Sequence, residues 1–425
     1  MDKTLKNRAT QNIYDKVPYI SHTIPQTNPA TLRSIASLFG MKAPDINGSR
    51  VLELGCASGN NIISIASFFP GSDCIGIDLS PVQIEEGRKN IAKLGITNLK
   101  LEATSIMDID DSYGKFDYII VHGVFSWVPK EVQEKILKIC SQNLTPEGLA
   151  YISYNTLPGW EGLRALREMM QYHAAKFEGL PQKAGQARAL LQFIRDGLGN
   201  DTNNNYSDMI NDEIERLENQ PDFYLLHEYL EENNTPYYFH QFMEMAAKAG
   251  LQYVAETALY AMDISNLPAQ TENILNNAED IISTEQYLDF LYNRRFRSTI
   301  LCHDDKIIDR NISLSTLDDK FFMPTFGAIE KNGEEVSFTG ASGITLATND
   351  KILIAALSVL SEQKIYVHIS VLIKETIKEL EANGIKINAN EDRFKEFLSN
   401  ALLKCIFTGI VAMSLYENNF TDEVI

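Results

Sequence analysis

Through the first third of the chain, short apolar runs alternate with stretches whose apolar residues recur every three or four positions. The run Val51-Leu52-Glu53-Leu54 ends at Gly55-Cys56-Ala57-Ser58-Gly59, and a helical pattern follows over 61–69, closed by Pro70-Gly71. Cys74-Ile75-Gly76-Ile77-Asp78-Leu79 is the second run. Ser80-Pro81 then offers a cap and a first-turn proline to a helix over 82–94 that stops at Gly95. Residues 99–103 predict a third strand. Phe116 to Val121 is apolar almost throughout, as expected of a strand buried on both faces. A helix is predicted from Pro129 to about Leu144, and Thr145-Pro146-Glu147-Gly148 reads as a turn into a fifth strand over 149–154. Five strands with intervening helices predict an α/β, doubly wound, Rossmann-like sheet. Ligands of such sheets sit beyond the carboxyl ends of the strands. The loops 55–60, 78–80, 104–107, 122–127 and 155–160 are therefore the candidate site.

After Trp160 the period changes. Helices are predicted over 163–177, 184–198 and 207–219 around a polar break at 201–205, with no strand pattern before 251–256. A helix over 242–250 precedes that strand. Another over 284–291 precedes a seventh strand at 294–302. From about His303 a hairpin is predicted, with 327–330 and 336–339 flanking Lys331-Asn332-Gly333, followed by helices over 350–361, 368–382 and 392–403. The expected organisation is a catalytic core at 1–161 and 237–303, a helical insertion at 162–236, and a winged-helix-like α+β domain at 304–425. Leu163, Leu166, Met169, Met170, Leu190, Leu191 and Ile194 give the insertion an apolar face that must be covered. Its cover is either a second copy of the chain or the chain's own core.

Composition narrows the function. The 425 residues carry a net charge of −19 and are 44% hydrophobic, enough for two or three cores. Such an acidic chain is a poor nucleic-acid surface and suits a basic substrate segment. No apolar run approaches the roughly 18 residues of a membrane span. Met1-Asp2-Lys3-Thr4-Leu5-Lys6 lacks the apolar core of a signal peptide, and the five cysteines are scattered, so a cytoplasmic protein is expected. No His/Cys cluster has metal spacing, and no metal is expected.

The chemistry starts at the glycine turn. A dinucleotide fingerprint reads G-x-G-x-x-G; here the spacing is G-x-x-x-G, which disfavours a dehydrogenase. Glu53, just before the first glycine, adds a negative charge that favours a cationic ligand over a pyrophosphate. Asp78 ends the second strand about twenty residues on, where an acid accepts ribose hydroxyls. Upstream, tyrosines and prolines at 14–29 read as a strap ahead of a helix over 30–39.

The sequence E-L-G-x-x-x-G resembles motif I of class I methyltransferases that use S-adenosylmethionine (SAM). Further phrases match one bacterial group of these enzymes, which carries a methyltransferase regulatory domain. They are Val17-Pro18-Tyr19, Pro25-Gln26-Thr27-Asn28-Pro29, His122-Gly123-Val124-Phe125-Ser126-Trp127-Val128-Pro129, Ser153-Tyr154-Asn155-Thr156-Leu157-Pro158-Gly159-Trp160, Tyr224-Leu225-Leu226-His227-Glu228-Tyr229-Leu230, Tyr238-Phe239-His240-Gln241-Phe242 and the 294–302 segment. Together they cover about residues 10–305. Among studied members the chain is similar to rickettsial protein lysine methyltransferases that modify an outer-membrane protein. The chain departs in carrying Ser105 where many members have aspartate, and family chains usually continue further.

The resemblance implies SAM as cofactor, a protein substrate with accessible lysines, and a homodimer through the insertion. It implies that Glu53, Gly55, Cys56, Ala57, Gly59, Asn60, His122, Gly123 and Gln26 hold the methionine side of SAM, Asp78 and Leu79 the ribose, and Ser105 and Ile106 the adenine. Methyl transfer is an in-line displacement that needs positioning more than acid–base machinery. A lysine acceptor must be neutral, which costs about 4.6 kcal/mol at pH 7 from a reference pKa near 10.4. A dry, aromatic channel lowers that cost. Phe125, Trp127, Tyr14 and Tyr19 are expected to line it. His122 is expected to contact cofactor or acceptor rather than sit as a plain core histidine, and Asn155 either orients the amine through its carbonyl or makes the turn before Pro158. Tyr14, His122, Trp127 and Asn155 are the candidate catalytic residues. The alternatives on the same fold are a small-molecule methyltransferase and a SAM-binding regulator without catalysis.

Overall fold

The computed structural model describes residues 21–199, 205–340, 343–387 and 390–417. Tyr14 and Tyr19, two expected channel residues, lie outside them. Among the described residues the central element is a seven-stranded sheet. Its strands are β1 (Arg50–Leu54), β2 (Asp73–Asp78), β3 (Leu99–Ala103), β4 (Phe116–Val121), β5 (Leu144–Asn155), β6 (Leu251–Glu256) and β7 (Phe296–His303), in the order β3-β2-β1-β4-β5-β7-β6. The first five are parallel, and β7 runs antiparallel to both β5 and β6. The order reverses between β1 and β4, so a crevice opens at their carboxyl ends.

Alternation along the strands divides the core. Tyr118 and Ile120 of β4 join one buried cluster, and Ile119 and Val121 join the other. The first face is covered by α1 (Pro29–Leu38), α2 (Asn60–Phe68) and α3 (Pro81–Leu94), the second by α4 (Lys130–Gln142) and α8, described below. Helix ends follow local chemistry. Asn28 accepts from Ala30 N ahead of Pro29, and Ser80 from Gln83 N ahead of Pro81. Gly95, left-handed, closes α3.

The expected turn at 145–148 is instead an irregularity inside β5. Leu144 already pairs with Phe116 and Leu149 with Tyr118, so the extra residues bulge out of a continuous strand. The helix before it consequently ends at Gln142.

The insertion comprises α5 (Gly159–Ala174), α6 (Leu180–Leu198) and α7 (Asn205–Glu218), then one turn at Asp222–Tyr224 that continues into a π-helix at Leu225–Tyr229. It has a core of its own, built from Leu166, Met170, Leu191, Ile210, Ile214 and Tyr229. The apolar face seen in the sequence is therefore covered within the insertion, because α7 and the π-helix pack onto α5 and α6. The large apolar side chains left outward are others, with Tyr172 and Phe193 each 73% exposed.

The chain returns to the sheet through α8 (Phe239–Lys248), α9 (Ala269–Asn276) and α10 (Ile281–Tyr292). Beyond β7 lie β8 (Phe321–Pro324), β9 (Phe326–Asn332), β10 (Glu335–Gly340), β11 (Thr345–Thr348), α11 (Lys351–Gln363), β12 (Val367–His368), α12 (Ile369–Ala382), α13 (Glu391–Phe407) and β13 (Val411–Ser414). The strands form two antiparallel sheets, β11-β10-β9 and β12-β8-β13. The expected hairpin forms, but its turn is Gly333-Glu334: Lys331 and Asn332, expected in the turn, pair with Val336 and Glu335 as the end of β9. This region docks on α1, where Ser34 Oγ accepts from Leu415 N at 2.9 Å and Arg33 donates to the Tyr416 hydroxyl at 2.6 Å.

Candidate functional site

The glycine turn is built by backbone conformations that side chains resist. Gly55 has φ +74°, and a Cβ there would lie 2.5 Å from Val124 Cγ2. Gly59, at φ +81°, caps α2. The turn is tied to β2, where Gly55 N and Cys56 N both donate to Ile77 O at 2.8 and 2.9 Å. Ala57 N donates to Asp78 Oδ2, and Ser80 N to Asp78 Oδ1, each at 2.9 Å. One carboxylate therefore joins the glycine turn to the loop after β2. The Cys56 amide is engaged, and its buried thiol lies where a Cβ on Gly76 would come within 2.9 Å. Its part is to shape the turn.

Glu53 is 4% exposed on β1. Its Oε1 accepts from Asn61 Nδ2 at 2.9 Å, and its Oε2 completes no hydrogen bond among the described residues. Burial pushes its pKa up to about 7, against the opposing pull of Asn61 and the Ile62 amide. A buried carboxyl with an unsatisfied oxygen beside a glycine turn is what a cationic ligand group would complete. The missing Cβ at Gly55 lets the turn pack directly against Val124 of the loop after β4.

The segment at 21–28 does form a strap. Asn60 N donates to Ser21 Oγ at 3.1 Å and Asn60 Nδ2 to Ser21 O at 2.8 Å. Asn61 Oδ1 accepts from Ile24 N, and Asn61 Nδ2 donates to Thr27 Oγ1. The first amide of α2 thus meets a serine hydroxyl. Gln26, half-buried on this strap, approaches the Tyr151 hydroxyl.

Around the rim, Leu79 is 37% exposed, and Ser105 caps a short turn at Ile106–Asp108 through Met107 N. At the end of β4, Gly123 has φ +66° and its N–H donates to Ser153 Oγ at 2.8 Å. His122 beside it is half-buried. Its Nδ1 lies 2.8 Å from the Tyr151 hydroxyl, its ring stacks on Tyr151 at 5.8 Å, and Phe296 meets it edge-on at 6.0 Å. Burial pushes its pKa down to about 4, so the imidazole is neutral at neutral pH.

The loop after β4 separates two aromatic residues that the sequence put together. The short helix at Phe125–Trp127 turns Phe125 inward, fully buried against Tyr154, Tyr237 and Phe242. It belongs to the core and lines no channel. Trp127 faces outward, half-buried, edge-on to Trp160 at 6.1 Å. Asn155 is 4% exposed at the end of β5. Its N–H donates to Ser126 Oγ and its Nδ2 to Asn234 Oδ1 at 3.1 Å.

The carboxyl ends of β1, β2 and β4 carry Glu53, Gly55, Ala57, Gly59, Asn60, Asp78, His122 and Gly123, with Leu79, Ser105, Ile106 and Trp127 on adjoining loops and Asn155 at the end of β5. Sequence reasoning singled out neither Tyr151 nor Ser298 as site residues, though the second lies in a quoted motif. Their relevance depends on β7 lying beside β5. Among the described residues no group of His, Cys, Asp or Glu offers a metal site. No helix among them is long and apolar enough to cross a membrane.

Two family descriptions match the chain: "Methyltransferase domain" over residues 46–211 and "Predicted methyltransferase regulatory domain" over 221–303. An uncharacterized Rickettsia prowazekii protein, RP789, is 41% identical over 418 residues, covering 96% of this chain and 74% of its own length. A second from that organism, RP028, is 47% identical over 55% of this chain and 94% of its own. Among solved structures, PKMT2 from Rickettsia typhi superposes with a TM-score of 0.82 at 40% identity, covering 93% of this chain and 77% of that one. The same protein in complex with AdoHcy gives a TM-score of 0.82 at 39% identity. With a mixed seven-stranded sheet, a glycine turn made for a cationic nucleoside ligand and these relatives, the chain belongs to the S-adenosylmethionine-dependent methyltransferases that carry a methyltransferase regulatory domain.

Proposed function

We propose that the chain N-methylates lysine side chains of a protein substrate, working as a homodimer. The single observation that carries this reading is the likeness to PKMT2 along 93% of the chain, in line with the sequence resemblance to protein lysine methyltransferases. SAM, when bound, supplies an electrophilic methyl group on a sulfonium.

The chain's own residues do the rest. Glu53 and the cradle over Gly55 and Gly59 receive the cationic end of the cofactor, and Asp78 receives the ribose hydroxyls. Leu79, Ser105 and Ile106 border the adenine. The acceptor side offers neutral polar groups, His122 and Asn155, and the aromatic walls Trp127 and Trp160. That composition suits an amine that arrives uncharged. His122 orients the amine without taking its proton, because its pKa of about 4 lies some six units below a lysine's, a gap of roughly 9 kcal/mol. The proton leaves to solvent before the amine is seated.

The test is intact mass spectrometry of lysine-bearing proteins incubated with the chain and SAM. Increments of about 14 Da on a protein, mapped to lysine, are the expected result. Modification of small amines alone would replace this reading with a small-molecule methyltransferase. SAM binding with no turnover on any acceptor would replace it with a regulator.

A further inference from the structure

A hydrogen-bonded line crosses three neighbouring strands beneath the acceptor side of the crevice. His122 Nδ1 lies 2.8 Å from the Tyr151 hydroxyl oxygen, and that hydroxyl donates to Ser298 Oγ at 3.1 Å. A phenol has one proton. With it directed at Ser298, the Tyr151 oxygen meets His122 as an acceptor, so Nδ1 must carry the imidazole hydrogen. In a neutral ring the lone pair then lies on Nε2.

The frame around this line is rigid. Tyr151 is fully buried in β5, opposite Ile300 of β7, and Ser298 is 9% exposed on β7. The Tyr151 and His122 rings lie within 18° of parallel, and Phe296 meets the imidazole edge-on at 6.0 Å. Nε2 has no hydrogen-bond partner among the described residues. The tautomer matters for the chemistry. An Nε2–H would donate to an incoming amine's lone pair, the pair that must form the new bond. A bare Nε2 accepts an amine N–H and leaves that pair free.

We propose that Tyr151 and Ser298 hold His122 as its Nδ1–H tautomer, so that Nε2 accepts an N–H from the acceptor amine at the methyl-transfer site. Tyr151 and Ser298 are positioning residues, acting through His122. The identity of the amine rests on the lysine reading; the tautomer does not.

The experiment is nitrogen-15 histidine NMR on the full chain at neutral pH, with the His122 signals assigned by His122→Asn. The wild type should show a protonated Nδ1 and a bare Nε2. Tyr151→Phe removes the acceptor at Nδ1 and should move His122 toward the Nε2–H form. Ser298→Ala frees the phenol proton to divide among Nδ1, Ser153 and Gln26, which also meet the hydroxyl, and should move His122 part of the way in the same direction. It also covers the case in which the tyrosine variant fails to fold. In the presence of S-adenosylhomocysteine, n-butylamine as a lysine side-chain probe should shift Nε2. Either variant should weaken that titration roughly three- to ten-fold. An Nε2–H tautomer in the wild type, or an unchanged tautomer in both variants, overturns the proposal. An Nε2 shift caused by S-adenosylhomocysteine alone assigns the N–H to the cofactor's amine and overturns the acceptor half. Absence of lysine methylation with the tautomer intact defeats only the functional reading above.

Discussion

Asp78 shows how the geometry changes what a substitution means. Both its oxygens already accept backbone amides, from Ala57 and Ser80. Replacement by alanine would loosen two loops as well as remove the ribose acceptor. Asp78→Asn is the cleaner change, because its carbonyl oxygen keeps one of those bonds while the charge is lost. It should weaken SAM binding by about 1.5–3 kcal/mol in calorimetry, and because its NH2 group faces the other backbone N–H it should also lower the thermal midpoint, though by less than alanine. Unaltered affinity would take Asp78 out of the site. Glu53 makes a second residue-scale prediction. Its folded pKa, about 7, lies above the ordinary carboxylate value of 4.5. Its protonated form therefore stabilises the fold in full below pH 4.5, and that contribution is lost as pH rises through 7. A cationic ligand reverses the preference by favouring the carboxylate. SAM binding near pH 6.5 should therefore release a proton, seen as a dependence of binding heat on the buffer's ionisation enthalpy. Glu53→Gln should abolish that dependence. Binding with no proton release in the wild type would show that the cofactor's charge lies elsewhere.

At the scale of elements, what was legible depended on how local the signal is. β1 to β5 were readable because apolar runs there are punctuated by Gly, Pro and capping residues. The hairpin around Asn332-Gly333 was readable for the same reason. α9 escaped, since the only buried residue in Ala-Gln-Thr-Glu-Asn-Ile-Leu-Asn is Leu275, which gives no periodicity. The sheet β12-β8-β13 escaped because its partners come from segments far apart in the chain, and pairing at that range leaves no local pattern. The same limit hid the environment of His122, whose neighbours Tyr151, Ser298 and Phe296 meet only through the β5–β7 pairing. The glycine turn, Asp78 and His122 were visible; what orients them was not. The motif at 294–302 has a structural role that spacing could not convey. Arg297, fully buried on β7, pairs with Glu256 at 2.7 Å, Asp289 at 2.8 Å and Glu285 at 3.0 Å, and lies 3.8 Å over the Phe239 ring. Its neighbours in sequence, Phe296 and Ser298, are the residues that frame His122 and Tyr151. Truncation would leave the buried Glu256 without its cation and Asp289 and Glu285 with Arg294 alone, which lies 3.1 and 3.8 Å from them. Arg297→Ala should destabilise the fold by about 3–5 kcal/mol in denaturant unfolding. A change under about 1 kcal/mol would mean that the carboxyl groups simply take up protons and need no guanidinium.

At the scale of the whole molecule, the insertion is where the proposed homodimer is tested. Its self-contained core removes one motive for dimerisation, because Leu166, Met170 and Leu191 are already covered. It also weakens the case for a lid, since the block needs no apolar support from the catalytic core. An ion pair between Arg295 and Glu213 at 3.0 Å fixes α7 to the segment ahead of β7, so the block is anchored beside the site. What remains outward is aromatic and apolar. Tyr172 on α5 and Phe193 on α6 are each 73% exposed, with Tyr206 and Met209 of α7 at 44% and 43%. If these side chains form one patch, they are the surface through which the proposed dimer would pair. A second copy is the partner that the sequence resemblance suggests, and an isologous interface would bring the same residues together twice. Light scattering on the intact chain should give about twice the monomer mass of 47.8 kDa. Phe193→Glu combined with Tyr172→Glu should give a folded monomer, because both changes lie outside the insertion's core and place like charges across the two-fold contact. A monodisperse monomer of the unaltered chain at micromolar concentration would leave the aromatic surface to a different protein.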